Sequence, residues 1–420
     1  MYKKILLFIF FTIIVMGCSV KEEEKLFNPK ESYKLKVLYY DSESFYTKYG
    51  NYINMEFPNL EFEIVPLKLV YTGEGSLNEN LLKLVSSEQP DILFLNREYM
   101  KTLQAEHQLL PLRALLGEDE INSLHKGAVE LLEWYGDGEI YGVATSFVAS
   151  ALFYNKTLFA KNGVNIPDEP MSWNQFSHLV QRFDNSDEAA FYFQNADPSA
   201  LFTIIGLFDG LSYLDKANNK ITLNTDSWAE VAEVIKPLYE KKLIQSSELS
   251  SGDNLFSSGL AAITVADHHL FFQLSEMQLP FEWGVLPLPG RDHSQTNISL
   301  ENIVAIHNQS IKAKESVKLI QFLASEKMSK IIDNTSSTLS TSIRSSIAKD
   351  KDHPLHFIYE RSANIFAEEN YNRIQSMSED FLESFMPYFS EHIQKIVRGE
   401  IQVRDGLQKI EDYGNKLLES

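Results

Sequence analysis

Four consecutive apolar residues, Ile92-Leu93-Phe94-Leu95, stand between Gln89-Pro90-Asp91 and Asn96-Arg97. A run of that length between turn residues reads as a strand buried on both faces, the kind found in parallel sheets covered by helices. Its neighbours agree. Leu35, Val37 and Tyr39 alternate with Lys34, Lys36 and Leu38, which predicts a strand ending at Asp41. Phe45, Tyr49, Ile53 and Phe57 follow at helical spacing up to Pro58, and Leu60 to Leu67 reads as a second strand. Ser76-x-x-Glu79 is a capping box that opens a helix through Leu81, Leu82, Leu84 and Val85. Residues 34 to 116 thus alternate strand and helix, the pattern of an α/β parallel sheet with crossover helices.

The middle of the chain continues with more helix. Glu139 to Thr145 and Ala149 to Asn155 read as two extended segments, and Gly259 to Ala266, Trp283 to Leu286 and Ile303 to Ile306 as strands. Ser172-x-x-Gln175 and Ser227-x-x-Glu230 predict helix starts, Lys314 to Ile332 one amphipathic helix, and Ala363 to Leu418 a mostly helical tail. Pro287-Leu288-Pro289-Gly290 cannot continue a helix and suits a crossover. A chain of 420 residues exceeds what one hydrophobic core supports, so two lobes are expected. Asp and Glu outnumber Lys and Arg by 58 to 38. Such a surface repels phosphate backbones and argues against nucleic acid as a partner.

There is one cysteine, so an intrachain disulfide and every multi-cysteine metal motif are excluded. Its position is informative. Lys3 and Lys4 precede an apolar run from Ile5 to Val15, which ends in Met16-Gly17-Cys18. The run is too short to span a bilayer and reads as a secretory signal peptide. Val15, Gly17 and Cys18 resemble the bacterial lipobox, which implies removal of residues 1–17 and lipid (palmitate) on Cys18; an ordinary signal peptide with an incidental cysteine is the alternative. Residues 18–32 read as a flexible tether. No later stretch approaches 18 uninterrupted apolar residues. The expected location is the extracytoplasmic face of the cell membrane, reached by lipid anchor.

The order of further segments resembles the extracellular solute-binding proteins of ABC importers, of the maltose- and sugar-binding class. Pro90-Asp91-Ile92 with Leu109-Leu110-Pro111-Leu112 is similar to that family's early strand. Gly138-Glu139-Ile140-Tyr141-Gly142-Val143 followed by Leu152-Phe153-Tyr154-Asn155-Lys156 is similar to its first crossover. Pro167 with Ser172-Trp173-Asn174-Gln175-Phe176, Phe256-x-x-Gly259-Leu260-Ala261-Ala262-Ile263, and Trp283 to Gly290 resemble three later motifs. Lys314-Glu315-Ser316 with Phe322-Leu323 resembles the helix after its second crossover, and Gly399-Glu400 and Asp405 to Leu407 resemble its last helices. Each motif alone is weak; their order and spacing together carry the resemblance over nearly the whole mature chain.

The resemblance implies a two-lobed, periplasmic-binding-protein-like clamp of type II, each lobe a sheet flanked by helices with ligand between. Lobe one would be residues 33–144 with 288–337, lobe two 145–287 with 338–420, with crossings near Thr145, Leu286 and Ser337. It implies a monomer that captures a small polar solute, a mono- or oligosaccharide, and delivers it to ABC permease subunits. It implies no cofactor and no enzyme activity.

Open α/β sheets bind ligands beyond the carboxyl ends of their strands, and sugars are gripped by carboxylates, amides, Arg and flat aromatic rings. Candidate residues at such places are Asp41 and Ser42, Asn96 and Arg97, Ser146 and Phe147, Asp267 and His269, Glu301 and Asn302, and Arg344. Each has a structural alternative. Asp41-Ser42 reads equally as a helix cap, Arg97-Glu98 as a surface pair and Phe147 as core. His268-His269 is a poor metal pair, since adjacent side chains diverge and no third ligand is evident. Glu301-Asn302 stands where many relatives carry small residues such as Gly. Two rival functions remain: a lipoprotein presenting ligand to a sensor kinase, and an extracellular glycosidase using a pair of acids. No G-x-S-x-G, H-E-x-x-H, P-loop or G-x-G-x-x-G motif supports an enzyme.

Overall fold

The computed structural model describes residues 27–194, 197–215, 219–246, 254–335, 339–375 and 377–419. Residues 1–17, Cys18 and Ser337 lie outside them, as does most of the 18–32 tether. At the tether's described end Phe27 is buried, edge-on to Tyr33 and Phe57, so this end is fixed to the body.

The buried run 92–95 lies inside a ten-stranded sheet. Its strands are β1 (Tyr33–Tyr39), β2 (Leu60–Pro66), β3 (Ile92–Leu95), β4 (Gly142–Asn155), β5 (Ala189–Tyr192), β6 (Ile244–Gln245), β7 (Ala261–Asp267), β8 (Trp283–Leu286), β9 (Ile298–Ile306) and β10 (Leu339–Ser340). The spatial order is β2-β1-β3-β9-β4-β7-β5-β6, with β8 and β10 also paired to β4. β1, β2 and β3 are parallel, as the strand–helix alternation predicts, but β9 enters antiparallel between β3 and β4, so the sheet is mixed.

The two extended segments expected at 139–145 and 149–155 are one strand. β4 runs without interruption for 14 residues, because its first part pairs with β9 and its last part with β7 and β8. It therefore joins two sheet halves. The single helix expected over 314–332 is two, α8 (Ala313–Leu323) and α9 (Glu326–Thr335), broken where the Ser325 hydroxyl accepts the Met328 N–H. The helix start expected at Ser227 is capped two residues earlier, by the Thr225 side chain on Trp228.

Each half packs its own cores. On the first half, Tyr39, Phe45, Tyr49, Phe94 and Val304 form one layer, and Leu38, Leu95, Leu131, Phe147 and Leu300 the layer on the opposite face. Ile347, Leu355 and Ile358 join the second of these, although they follow the third crossing. The second half is built around Phe176, Phe191, Phe202, Trp228, Phe385 and Ile393.

Asn302 interrupts the alternation of β9. Ile303 and Ala305 face the same core as Leu300 and Ile298, which strict alternation would place on opposite faces. The pairing register with β4 is unchanged across the break, Glu301 opposite Ser146 and Ile303 opposite Ala144. The turnover is made by Asn302 in left-handed backbone, φ 51°. Asn is the side chain after Gly that adopts that region most readily.

Candidate functional site

Strand direction defines the site. β3 ends at Leu95, which lies level, through Ile303, with Ala144 of β4. β7 runs the opposite way and ends at Asp267, level with Ser150. β1 and β2 run with β3, and β5 runs with β7, so all their carboxyl ends point into one gap. The six-residue step on β4 from Ala144 to Ser150 sets its width along the strand at about 20 Å. Residues Thr145 to Ala149 of β4, with Ile298 to Asn302 of β9, form its floor.

The candidates distribute over this frame unevenly. Asp41 is a helix cap: its Oδ1 accepts the Ser44 N–H at 2.9 Å, its other oxygen is 3.3 Å from Lys68 Nζ, and the Ser44 bond holds its carboxyl below the usual range. Ser42 beside it is exposed. Asn96 caps α2 (Arg97–Ala105) by accepting the Tyr99 N–H at 2.8 Å. Ser146 and Phe147 are buried. Phe147 packs between the rings of His125 and Tyr359, so it takes the core alternative. Asp267 is exposed at the gap and holds His269 through the backbone N–H at 2.9 Å and the ring Nδ1 at 2.7 Å. The His268 and His269 rings do not diverge; they stack at 4.7 Å because both lie at the start of α7 (His269–Glu276), and His268 turns inward to accept the Ala149 N–H. Among the described residues no group of three His, Cys, Asp or Glu side chains could hold a metal ion. Arg344 reaches Glu120, 3.8 Å away, on the first half.

Glu301 lies on the floor opposite Ser146 of β4, and its charge reaches Tyr39, Lys48 and Tyr49. Burial pushes the Tyr39 phenol up to about 12, with Asp41 and Glu301 adding to the shift. Burial also lowers the Lys48 ammonium, which Glu301 partly offsets. The Tyr49 hydroxyl is hydrogen-bonded to Thr145 Oγ1 at 2.9 Å, tying the first-half core to the floor.

Arg97 is not brought to Asp267. Its guanidinium pairs with Glu98 and with Glu368 of α10 (Ile365–Gln375), and Glu368 also accepts from Tyr135 at 3.0 Å. α10 is fixed to the second half by Asn364 and Asn370, whose amides donate to the carbonyls of Phe208 and Leu211. Glu368 therefore bridges the halves. Nothing in a single sequence signals this partner, 271 positions away. Two other gap residues were not anticipated. Gln194 is exposed just after β5, and the short run Ala189 to Phe193 was the available sign of a strand there. Tyr71 is 55% exposed beside a hollow of about 560 Å³ lined also by Leu77, Asn78, Asn96, Glu98 and Tyr99. A second hollow, of about 350 Å³ and lined by Pro167, Met171, His178 and Arg182, lies along the helix Trp173–Gln181 of the second half.

Charged, amide and aromatic groups line a wide gap between the two sheet halves. A family model described as "Bacterial extracellular solute-binding protein" matches residues 51–330. The chain belongs to that family, which is extracytoplasmic and composed of binding proteins rather than enzymes. The arabinooligosaccharide-binding protein of Bacillus subtilis (strain 168) is 23% identical over 57% of this chain, and the match spans 54%, about half, of that relative's length. The sugar-binding protein MalE from Xanthomonas citri shares the fold with a TM-score of 0.68 at 16% identity, over 92% of this chain and 97% of that one. The cyclic alpha-maltosyl-1,6-maltose binding protein from Arthrobacter globiformis gives a TM-score of 0.62 at 18% identity, over 92% and 99%. Among the described residues no helix is long and apolar enough to cross a membrane.

Proposed function

We propose that this protein captures an extracellular carbohydrate between its two sheet halves by hinge closure and delivers it to the permease of an ABC importer. The observation that carries the reading is the opposition of strand ends across about 20 Å of the continuous strand β4. A strand that belongs to both halves is a hinge: small changes in its twist swing the halves while each core stays intact. Closure removes both solute and gap from water. Asn96, Gln194, Asp267 and Glu301 supply donors and acceptors for hydroxyl groups, and exposed tyrosines at the first-half strand ends supply faces for ring C–H groups. The sugars named for similar proteins support a carbohydrate over other polar solutes.

In this reading the lobes are residues 33–144 with 288–337 and 145–287 with 338–420, although Ile347, Leu355 and Ile358 of the last segment pack on the first; the mature protein begins at Cys18, and lipid on that cysteine holds a monomer at the membrane. Thermal-shift measurements against mono- and oligosaccharides test the function. A ligand that binds only the folded state, at ~100 times its dissociation constant, adds about 2.7 kcal/mol of stability. The radius of gyration from small-angle scattering should fall with the same ligand. A bound ligand that leaves it unchanged overturns closure, and mass spectrometry finding Cys18 unmodified in a mature membrane fraction overturns the anchor.

A further inference from the structure

Resting on the closure reading, we propose that Phe357 is a wedge that holds the empty protein open. It is carried by a strap, residues 341–363, that moves with the first half and sets Phe357 against the second half behind β4. The strap is fixed to the first half along its length. Ile347, Leu355, Ile358 and Ala363 are buried in the first-half core. Ser346 donates its N–H to Asp333 of α9 at 3.0 Å, the Ile358 carbonyl meets His125 Nε2 at 2.9 Å, and Glu130 accepts the Ala363 N–H at 3.1 Å. The next residue, Asn364, donates its side-chain amide to the Phe208 carbonyl of the second half at 2.8 Å. The chain therefore passes between the halves at Ala363–Asn364. A second crossing runs alongside, between Arg291, whose N–H is held by Asp209 of the second half at 3.1 Å, and Ile298 in the first-half core. Gln295–Thr296 of that crossing pairs in parallel with Ser362–Ala363, so the strap ends at the pivot.

The two faces of β4 differ. Alternate side chains of a strand point to opposite sides. On the gap side Val148 and Ser150 are half-buried, and Ser299 of β9, opposite Val148, is exposed. On the other side Phe147 and Ala149 belong to the first-half core, and Ala151 and Phe153 to a second-half cluster. Three half-buried side chains pack against both: Phe357 of the strap, and Phe271 of α7 and Val285 of β8 from the second half. The strap also sets the His353 ring 5.4 Å from that of Phe271, and the Arg361 guanidinium lies 5.3 Å over the Phe357 ring. The halves thus share apolar contact on one face of β4 and an open gap on the other. Because β4 runs through both halves, a swing that narrows the gap widens the opposite face. That swing parts Phe357 from the second half and uncovers apolar surface, so the contact favours the open form.

Small-angle scattering on the full mature chain, without solute, tests the proposal. Phe357→Ala should lower the radius of gyration below that of the wild type. Phe271→Ala removes the same contact from the other half and should lower it too, which local unfolding of the strap cannot explain. The double variant should go no further than either single one, since both act on one contact. By calorimetry, malto- or arabino-oligosaccharides that bind the wild type should bind both single variants about threefold more tightly, as the closed population rises. An unchanged or larger radius in either variant overturns the wedge, and so does a double variant whose change is the sum of the two. The radius is read with no solute present, so such a failure leaves the carbohydrate reading standing. A sugar that binds the wild type without lowering its radius overturns closure, and the wedge with it.

Discussion

Glu368, on a helix fixed to the second half, forms an ion pair with Arg97 at the end of the first-half strand β3, and both side chains are only 17% exposed. At that exposure the pair is largely desolvated, and breaking it removes from Arg97 the partner on the second half while leaving it Glu98 on its own helix. It spans the two halves without passing through β4, so in the proposed hinge motion it would restrain their opening.

Glu368→Gln should therefore loosen the ligand-free protein. The side chain keeps its shape and its contact with Tyr135, but the charge that faces Arg97 is gone. A larger ligand-free radius of gyration is expected, with affinity for the solute weakened about threefold or more as the closed population falls. An unchanged radius would show that the pair does not restrain the halves.

Asn302 gives a backbone prediction. Its φ of 51° is open to Gly at no cost and to Asn at little, but costs other side chains more. Asn302→Gly should be close to neutral, whereas Asn302→Ala should lose about 1 kcal/mol by chemical denaturation. Equal stability of the two variants would mean that the strand relaxes out of the left-handed region.

His125 makes stability depend on pH. The ring is buried; its Nε2 is 2.9 Å from the Ile358 carbonyl oxygen, and its Nδ1 accepts the Ala128 N–H at 3.3 Å. One neutral tautomer satisfies both contacts, and a second proton would remove the acceptor. Burial holds the pKa below the ordinary 6.5, against the pull of the Ile358 bond and Glu130. Above 6.5 the ring is neutral folded and unfolded, and its full contribution is present. As the pH falls below 6.5 the unfolded chain takes the proton first, so stability is lost down to the lowered native value. Urea midpoints between pH 7.5 and 5.5 should drop less in His125→Gln than in wild type, and equal drops would show that other groups set the acid limb.

These outcomes also mark what one sequence reveals. Local patterns were legible: the 92–95 run gave β3, Ser76 with Glu79 gave a true capping box, and the segment order gave the family. What failed was non-local. Thr145 to Val148 carry no strand signal stronger than their surroundings, yet pairing with β9 and β10 keeps β4 continuous through them. Arg97 reads as a ligand contact or as a pair with Glu98, and its second partner, Glu368, comes from a distant helix; Phe147 stays open between cleft and core, because alternation does not say which face is covered. Asp41 shows the remaining ambiguity, since capping and ligand binding select the same residue type at the same place.

Phe147 and Asp267 separate fold from function in one experiment. Phe147 is fully buried in the floor layer, so Phe147→Ala removes a large side chain from a packed core and should cost about 3–5 kcal/mol of stability. Asp267 is exposed at the end of β7, and its carboxylate holds the backbone N–H and ring of His269 at the following helix start. Asp267→Ala should leave the ligand-free melting temperature nearly unchanged. In the proposed closed cleft the same carboxylate would be removed from water along with the solute, and a hydroxyl left without its acceptor there would cost about 1–3 kcal/mol. Asp267→Ala is therefore expected to weaken solute binding at least about fivefold by calorimetry. A variant that binds like wild type would place the grip on other strand ends, with Gln194 after β5 the next to test, since it faces the same gap from the same half.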